Sequence, residues 1–111
     1  MKRVLLIAAL VAVSVSALLA TTAVAHLLTI NAARTKAFYY AHRACNVDRY
    51  CDRYGVKTCR RQQAHVVICD IFNDRDTPAQ GRYRCLRLVR IAYTSPYSHK
   101  PTITGFGNWR C

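Results

Sequence analysis

Six cysteines, four histidines and a surplus of arginine are the side chains best suited to chemistry in this 111-residue sequence. The cysteines are Cys45, Cys51, Cys59, Cys69, Cys85 and Cys111. Zinc sites bring their ligands in tight pairs, so that local backbone pre-forms half the tetrahedron. These gaps contain no C-x2-C knuckle, although His42 lies three residues before Cys45 and His65 four before Cys69. An even cysteine count in a short chain reads instead as disulfides, here three, and implies neither metal nor cofactor. Each bridge contributes about 2–4 kcal/mol, chiefly by restricting the unfolded chain. The spacing does not choose among the pairings.

The histidines suggest a different use. Two of them can share acid and base duty on a phosphodiester while a cation neutralises the phosphorane, each proton transfer adding about 10²–10⁴-fold in rate. The residues available are His42, His65 and His99, with Lys57, Lys100 or an arginine. Their convergence would require a helix, a strand and a loop to meet. Ser95 and Ser98 stand in no G-x-S-x-G elbow, and no glycine-rich phosphate loop or dinucleotide fingerprint occurs. A secreted histidine-dependent nuclease or toxin is therefore the second reading of this chain.

The charge is strongly positive: 17 Lys plus Arg against five acids, all of them Asp. Without Lys2 and Arg3, 15 cations remain, 12 of them arginine, for a net charge of +10. Such a field attracts nucleic acid, anionic lipid and acidic polymers. Arg82, Arg84, Arg87 and Arg90 form the densest run, with Arg60 and Arg61 nearby if their segments join one sheet. Alternation along a strand points Arg82, Arg84 and Arg90 one way and Arg87 the other.

The elements that must carry these residues follow from local pattern. "NAARTKAFYYAHRAC" (31–45) predicts a helix capped by Asn31, with Ala33, Ala37, Tyr40, Ala41 and Ala44 on one small-residue face. "DRYCDRYG" (48–55) predicts a short second helix, begun by Asp48 and stopped by Gly55, with Tyr50 under Tyr54 and Arg49 paired to Asp52. "HVVICDIF" and "YRCLRLVRIAY" read as strands, joined by the turn residues of "NDRDTPAQG". A hairpin centred on residue 77 would set Cys69 opposite Cys85. "VKTCRR" and "TITGF" are outer strands, "SPYSHKP" (95–101) is a loop, and "GFGNWRC" is a C-terminal clasp. The expected fold is α+β: an N-terminal helix plus a short second one, packed on a three- to four-stranded antiparallel sheet.

Compartment rests on the N-terminus. "MKR" precedes an uncharged run from Val4 to Ala25, and Ala23 and Ala25 have the small-residue spacing signal peptidase accepts. Residues 1–25 read as a signal peptide cut before His26, leaving a single exported basic domain at 26–111. Retention as a single-pass anchor is the alternative, since 22 uncharged residues are long enough to span a bilayer, but Ala, Ser and Thr weaken the second half. Either way residues 26–111 lie outside the cytoplasm, secreted or periplasmic. A domain of this size buries only about 60–65% of its unfolded surface and needs its bridges. The expected function is a non-catalytic binding or structural module that meets an anionic envelope polymer, nucleic acid or acidic protein through Arg60, Arg61, Arg82, Arg84, Arg87 and Arg90. Membrane contact is expected only if the N-terminal segment is retained.

Overall fold

A computed structural model describes residues 27–95 and 98–111. The signal-peptide or anchor reading of 1–25 lies outside these residues. Among the described residues no helix is long and apolar enough to cross a membrane.

One helix, α1 (Ile30–Asn46), precedes four strands: β1 (Cys51–Gln63), β2 (Val66–Thr77), β3 (Gly81–Ala92) and β4 (Thr102–Phe106). The strands form one antiparallel meander in the order β1-β2-β3-β4. Beyond β4 the chain continues along β3, where Arg110 and Leu86 exchange both backbone hydrogen bonds at 2.8 Å. Helix α1 lies chiefly over β1 and β2 and touches β3 and β4 little.

The alanine stripe explains this seating. Ala33, Ala37 and Ala41 recur every four residues and are completely buried. With side chains this small, the helix axis comes close to the sheet, against Val67, Cys69, Ile71, Val89 and Ile91. Leu28 closes the open end of that core. Thr29 rather than Asn31 caps the helix, its side chain accepting from the Ala32 N–H at 3.1 Å.

The second helix expected at 48–55 is absent: the chain turns at 47–50 and enters β1 at Cys51. Three contacts, two local and one across the sheet, override the helical periodicity there. Cys45 is bonded to Cys51, which folds the chain back from the helix end across a separation of six residues. Asp48 serves the turn, its carboxylate accepting from the Tyr50 N–H at 3.0 Å. Gly55 lies opposite Phe72, whose ring occupies the space a Cβ would need, with ring carbons 2.8 Å from that position. Tyr54 therefore packs on Phe38 and His42 instead of on Tyr50, and Asp52 pairs with Arg82 rather than Arg49.

The β2–β3 hairpin also differs in register. Thr77 pairs with Gly81, so the turn centres on residue 79, and Gly81 takes the left-handed φ of 68° that favours glycine. Cys69 consequently faces Val89, and Cys85 faces Asn73. Each cysteine bonds across to a different neighbouring strand or segment: Cys59–Cys69 joins β1 to β2, and Cys85–Cys111 pins the C-terminus beside β3. All six cysteines are thus paired, in bridges suited to an extracellular or oxidising environment.

Candidate functional site

The arginines singled out by sequence separate on folding. Arg82 and Arg84 lie on the sheet face away from the helix, directly opposite Asp76 and Asp74. Arg84 Nε donates to Asp74 Oδ1 at 2.7 Å, and Arg82 Nη2 to Asp52 Oδ2 at 2.6 Å. The Arg84 guanidinium also lies over Phe72 at 4.0 Å. Beside them Arg110 reaches Asp70 at 3.0 Å. Arg84 holds the Asp74 carboxyl below its ordinary pKa, against a smaller opposing effect of burial. Aspartates of β1 and β2 thus neutralise Arg82 and Arg84 on β3.

Of the others, Arg60 sits on the exposed edge strand opposite Ile68. Arg90 Nη1 donates to Thr104 Oγ1 at 2.7 Å. Arg61 is structural: its guanidinium donates to the carbonyls of Ala64 and Leu28, tying the β1–β2 turn to the start of the helix. Arg87 lies on the opposite face from Arg82, Arg84 and Arg90, under the helix, as strand alternation requires.

Arg87 leads to a concavity beside the helix. Because α1 leans over β1 and β2, a groove of about 930 Å³ remains between the second half of the helix, the helix-facing side of β2 and β3, and the C-terminal segment. Tyr39, Tyr40 and Trp109 supply aromatic surface, and Lys36, Arg43, Arg75 and Arg87 supply charge. Asp48 is the only acidic side chain lining it among the described residues, and its Oδ2 lies 2.7 Å from Arg75 Nε. Burial raises the Asp48 pKa, but the Tyr50 N–H and Arg75 outweigh it and leave the carboxyl below its ordinary value. Arg75 is therefore neutralised.

Arg87 is not. Its Nε donates to the Gly107 carbonyl at 2.6 Å and its Nη1 to the Tyr40 hydroxyl at 2.9 Å, both neutral acceptors. The guanidinium lies over Phe106 at 4.0 Å and Trp109 at 5.2 Å. These contacts fix a cation in place without cancelling its charge. Lys36 and Arg43 stand exposed on the rim, two helical turns apart, with no carboxylate partner among the described residues. Inside, Asn73 is only 4% exposed, and its Oδ1 is buried without a hydrogen-bond partner. Such an orphan acceptor costs about 1–3 kcal/mol.

Strand alternation read from the sequence places Arg87 correctly on its face but does not group it with Lys36, Arg43, Asn73 and Arg75. Asn73 and Arg75 read as turn residues and Trp109 as part of a clasp. The signal that is present is parity: Asn73 and Arg75 share the alternation of Cys69 and Ile71 on the helix-facing side.

The histidines are distributed. His42 packs on Tyr54, ring centroids 4.9 Å apart, with Nε2 3.2 Å from Asn46 Nδ2. His65 belongs to the β1–β2 turn and lies near Tyr93. That turn adjoins Leu28, so about 18 Å of helix separates it from the His42 position. His99 is in the β3–β4 connection, at the sheet end shared with His65. His42 and His65 are not brought together. Compared with known proteins, the chain matches no protein-family model, no curated protein sequence and no solved structure.

Proposed function

We propose that this chain is an exported, disulfide-braced, non-catalytic binding module that takes an anionic ligand in the groove between α1 and the sheet. One observation carries the reading. Lys36, Arg43 and Arg87 surround a cavity of ligand-binding size without carboxylate partners among the described residues, whereas Arg82 and Arg84 on the outer face are ion-paired. Uncompensated cations in a concavity focus field and raise local anion concentration. The signal-peptide pattern at 1–25 and the three bridges support a setting outside the cytoplasm. The expected contact surface moves accordingly, from the arginine row of β3 to the helix and Arg87.

Heparin-column elution tests this. The oxidised protein is expected to require more than physiological salt to elute. Lys36→Gln with Arg43→Gln should lower the salt needed and reduce the log–log salt slope by about 2, roughly one per lost contact. Arg82→Gln with Arg84→Gln should move elution less. Equal sensitivity to the two pairs, or release of the wild-type protein below physiological salt, overturns the groove reading.

A further inference from the structure

We infer that the free edge of β1 is a second interaction surface, separate from the groove, which takes an extended acidic segment of another protein as an added strand. β1 ends the sheet, with β2 as its one neighbour. Alternate residues of such a strand point their N–H and C=O groups away from the ladder. Between Tyr54 and Gln63 no backbone group has a hydrogen bond beyond the ladder to β2 among the described residues. Helix α1 does not close this edge, because Lys57, Thr58, Arg60, Arg61, Gln62 and Gln63 are exposed. A polypeptide offers amide donors and carbonyl acceptors in the alternation that an edge can pair. Phosphate chains, sugars and nucleic-acid backbones do not.

The side chains along the edge specify the segment. Arg53 and Arg60 lie opposite Asp74 and Ile68, on the sheet face away from the helix. Lys57 stands between them, at the register shift from Val56 to Thr58. Neither Lys57 nor Arg60 has a carboxylate partner among the described residues, and the Asp74 opposite Arg53 is already held by Arg84. On the other face Tyr54 and Val56 are half-buried. Phe38 of the helix, 43% exposed, packs on Tyr54 with ring centroids 5.3 Å apart. An added strand alternates its own side chains between these two faces. Acids on one side meet Arg53, Lys57 and Arg60, and apolar residues on the other meet Phe38, Tyr54 and Val56. The same charge opposes a second copy of this chain. Pairing β1 with itself sets Arg53, Lys57, Arg60 and Arg61 against their own kind, while Asp52 is taken by Arg82. Like charges opposite each other destabilise a ladder.

Isotope-labelled oxidised protein titrated with an octapeptide of alternating valine and aspartate tests this. One control peptide has the same composition with its aspartates grouped at one end, and another keeps the alternation but is methylated on every backbone nitrogen. The alternating peptide should bind about tenfold more tightly than either control, and should slow hydrogen exchange at alternate backbone amides between Tyr54 and Arg61. Lys57→Glu/Arg60→Glu should weaken it about tenfold and make the edge accept an alternating valine–lysine peptide instead. Lys36→Gln/Arg43→Gln, on the groove, should leave its binding unchanged. No binding of the alternating peptide, or equally tight binding of either control, overturns strand addition. Shifts confined to the surroundings of Lys36, Arg43 and Arg87 also overturn it and leave the anion groove standing. Protection of the β1 amides that rises with protein concentration in the absence of peptide assigns the edge to self-pairing and overturns the acidic partner. The control peptides need no variant, so the result holds even if the charge-reversed protein does not fold.

Discussion

Removing the Cys85–Cys111 bridge should be the most damaging of the three disulfide deletions. The bridges close three successive, non-overlapping loops, with separations of 6, 10 and 26 residues. Non-overlapping loops restrict the unfolded chain independently. The loop-closure relation then assigns about 2.2 kcal/mol to Cys45–Cys51, about 2.7 to Cys59–Cys69 and about 3.5 to Cys85–Cys111. Their total, about 8 kcal/mol, is comparable with the whole stability of a small domain, about 5–15 kcal/mol. Alanine is the appropriate replacement, because Cys69 and Cys85 are buried and a serine hydroxyl there would lack a partner. Urea unfolding of the three double-alanine proteins provides the assay. With a slope of about 1–1.5 kcal/mol/M, losing Cys85–Cys111 should lower the midpoint by about 2.3–3.5 M. It should also weaken anion binding, because Cys111 and Trp109 form one wall of the groove. A smaller loss for Cys85→Ala/Cys111→Ala than for Cys45→Ala/Cys51→Ala would refute the loop-length reasoning.

Gly55→Ala should destabilise the fold by about 1–3 kcal/mol, since its Cβ would meet the Phe72 ring at 2.8 Å. The cost should shrink when Phe72 is also Leu, as thermal melts of a double-mutant cycle would reveal. Ala37→Leu should cost about 1–3 kcal/mol or more by lifting the helix from the sheet, with loss of near-ultraviolet dichroism from the adjacent tyrosines. Asp74 has a pKa lowered by Arg84, so its contribution is full above the unfolded value of about 3.9 and disappears as pH falls through the folded one. Asp74→Asn should therefore reduce stability at neutral pH and flatten its decline below about pH 4, followed by urea midpoints across pH. An unchanged acid profile would exclude this pair as a contributor.

Local pattern and composition are enough for much of the architecture. The alanine period marks the helix and its buried face, β-branched alternation marks the two central strands, and the even cysteine count implies three bridges. These are short-range properties: a repeat of about four residues or of two marks one face wherever the rest of the chain lies. The same parity, a property of residue numbers along one strand, separates Arg87 from Arg82, Arg84 and Arg90.

What folding alone decides depends on partners distant in sequence. "DRYCDRYG" has an acceptable helical pattern, yet Cys45, the β2 ladder and the Phe72 ring make most of it a strand. The hairpin centre lies two residues beyond the expected one because Thr77 pairs with Gly81, and the cysteine partners shift with it. Charge behaves likewise. Composition determines that cations exceed acids, but only the pairing of β2 with β3 decides that Asp74 and Asp76 face Arg84 and Arg82. The uncompensated charge around Lys36, Arg43 and Arg87 arises from where the helix rests on the sheet, a three-dimensional relation between segments about 50 residues apart that no local window contains.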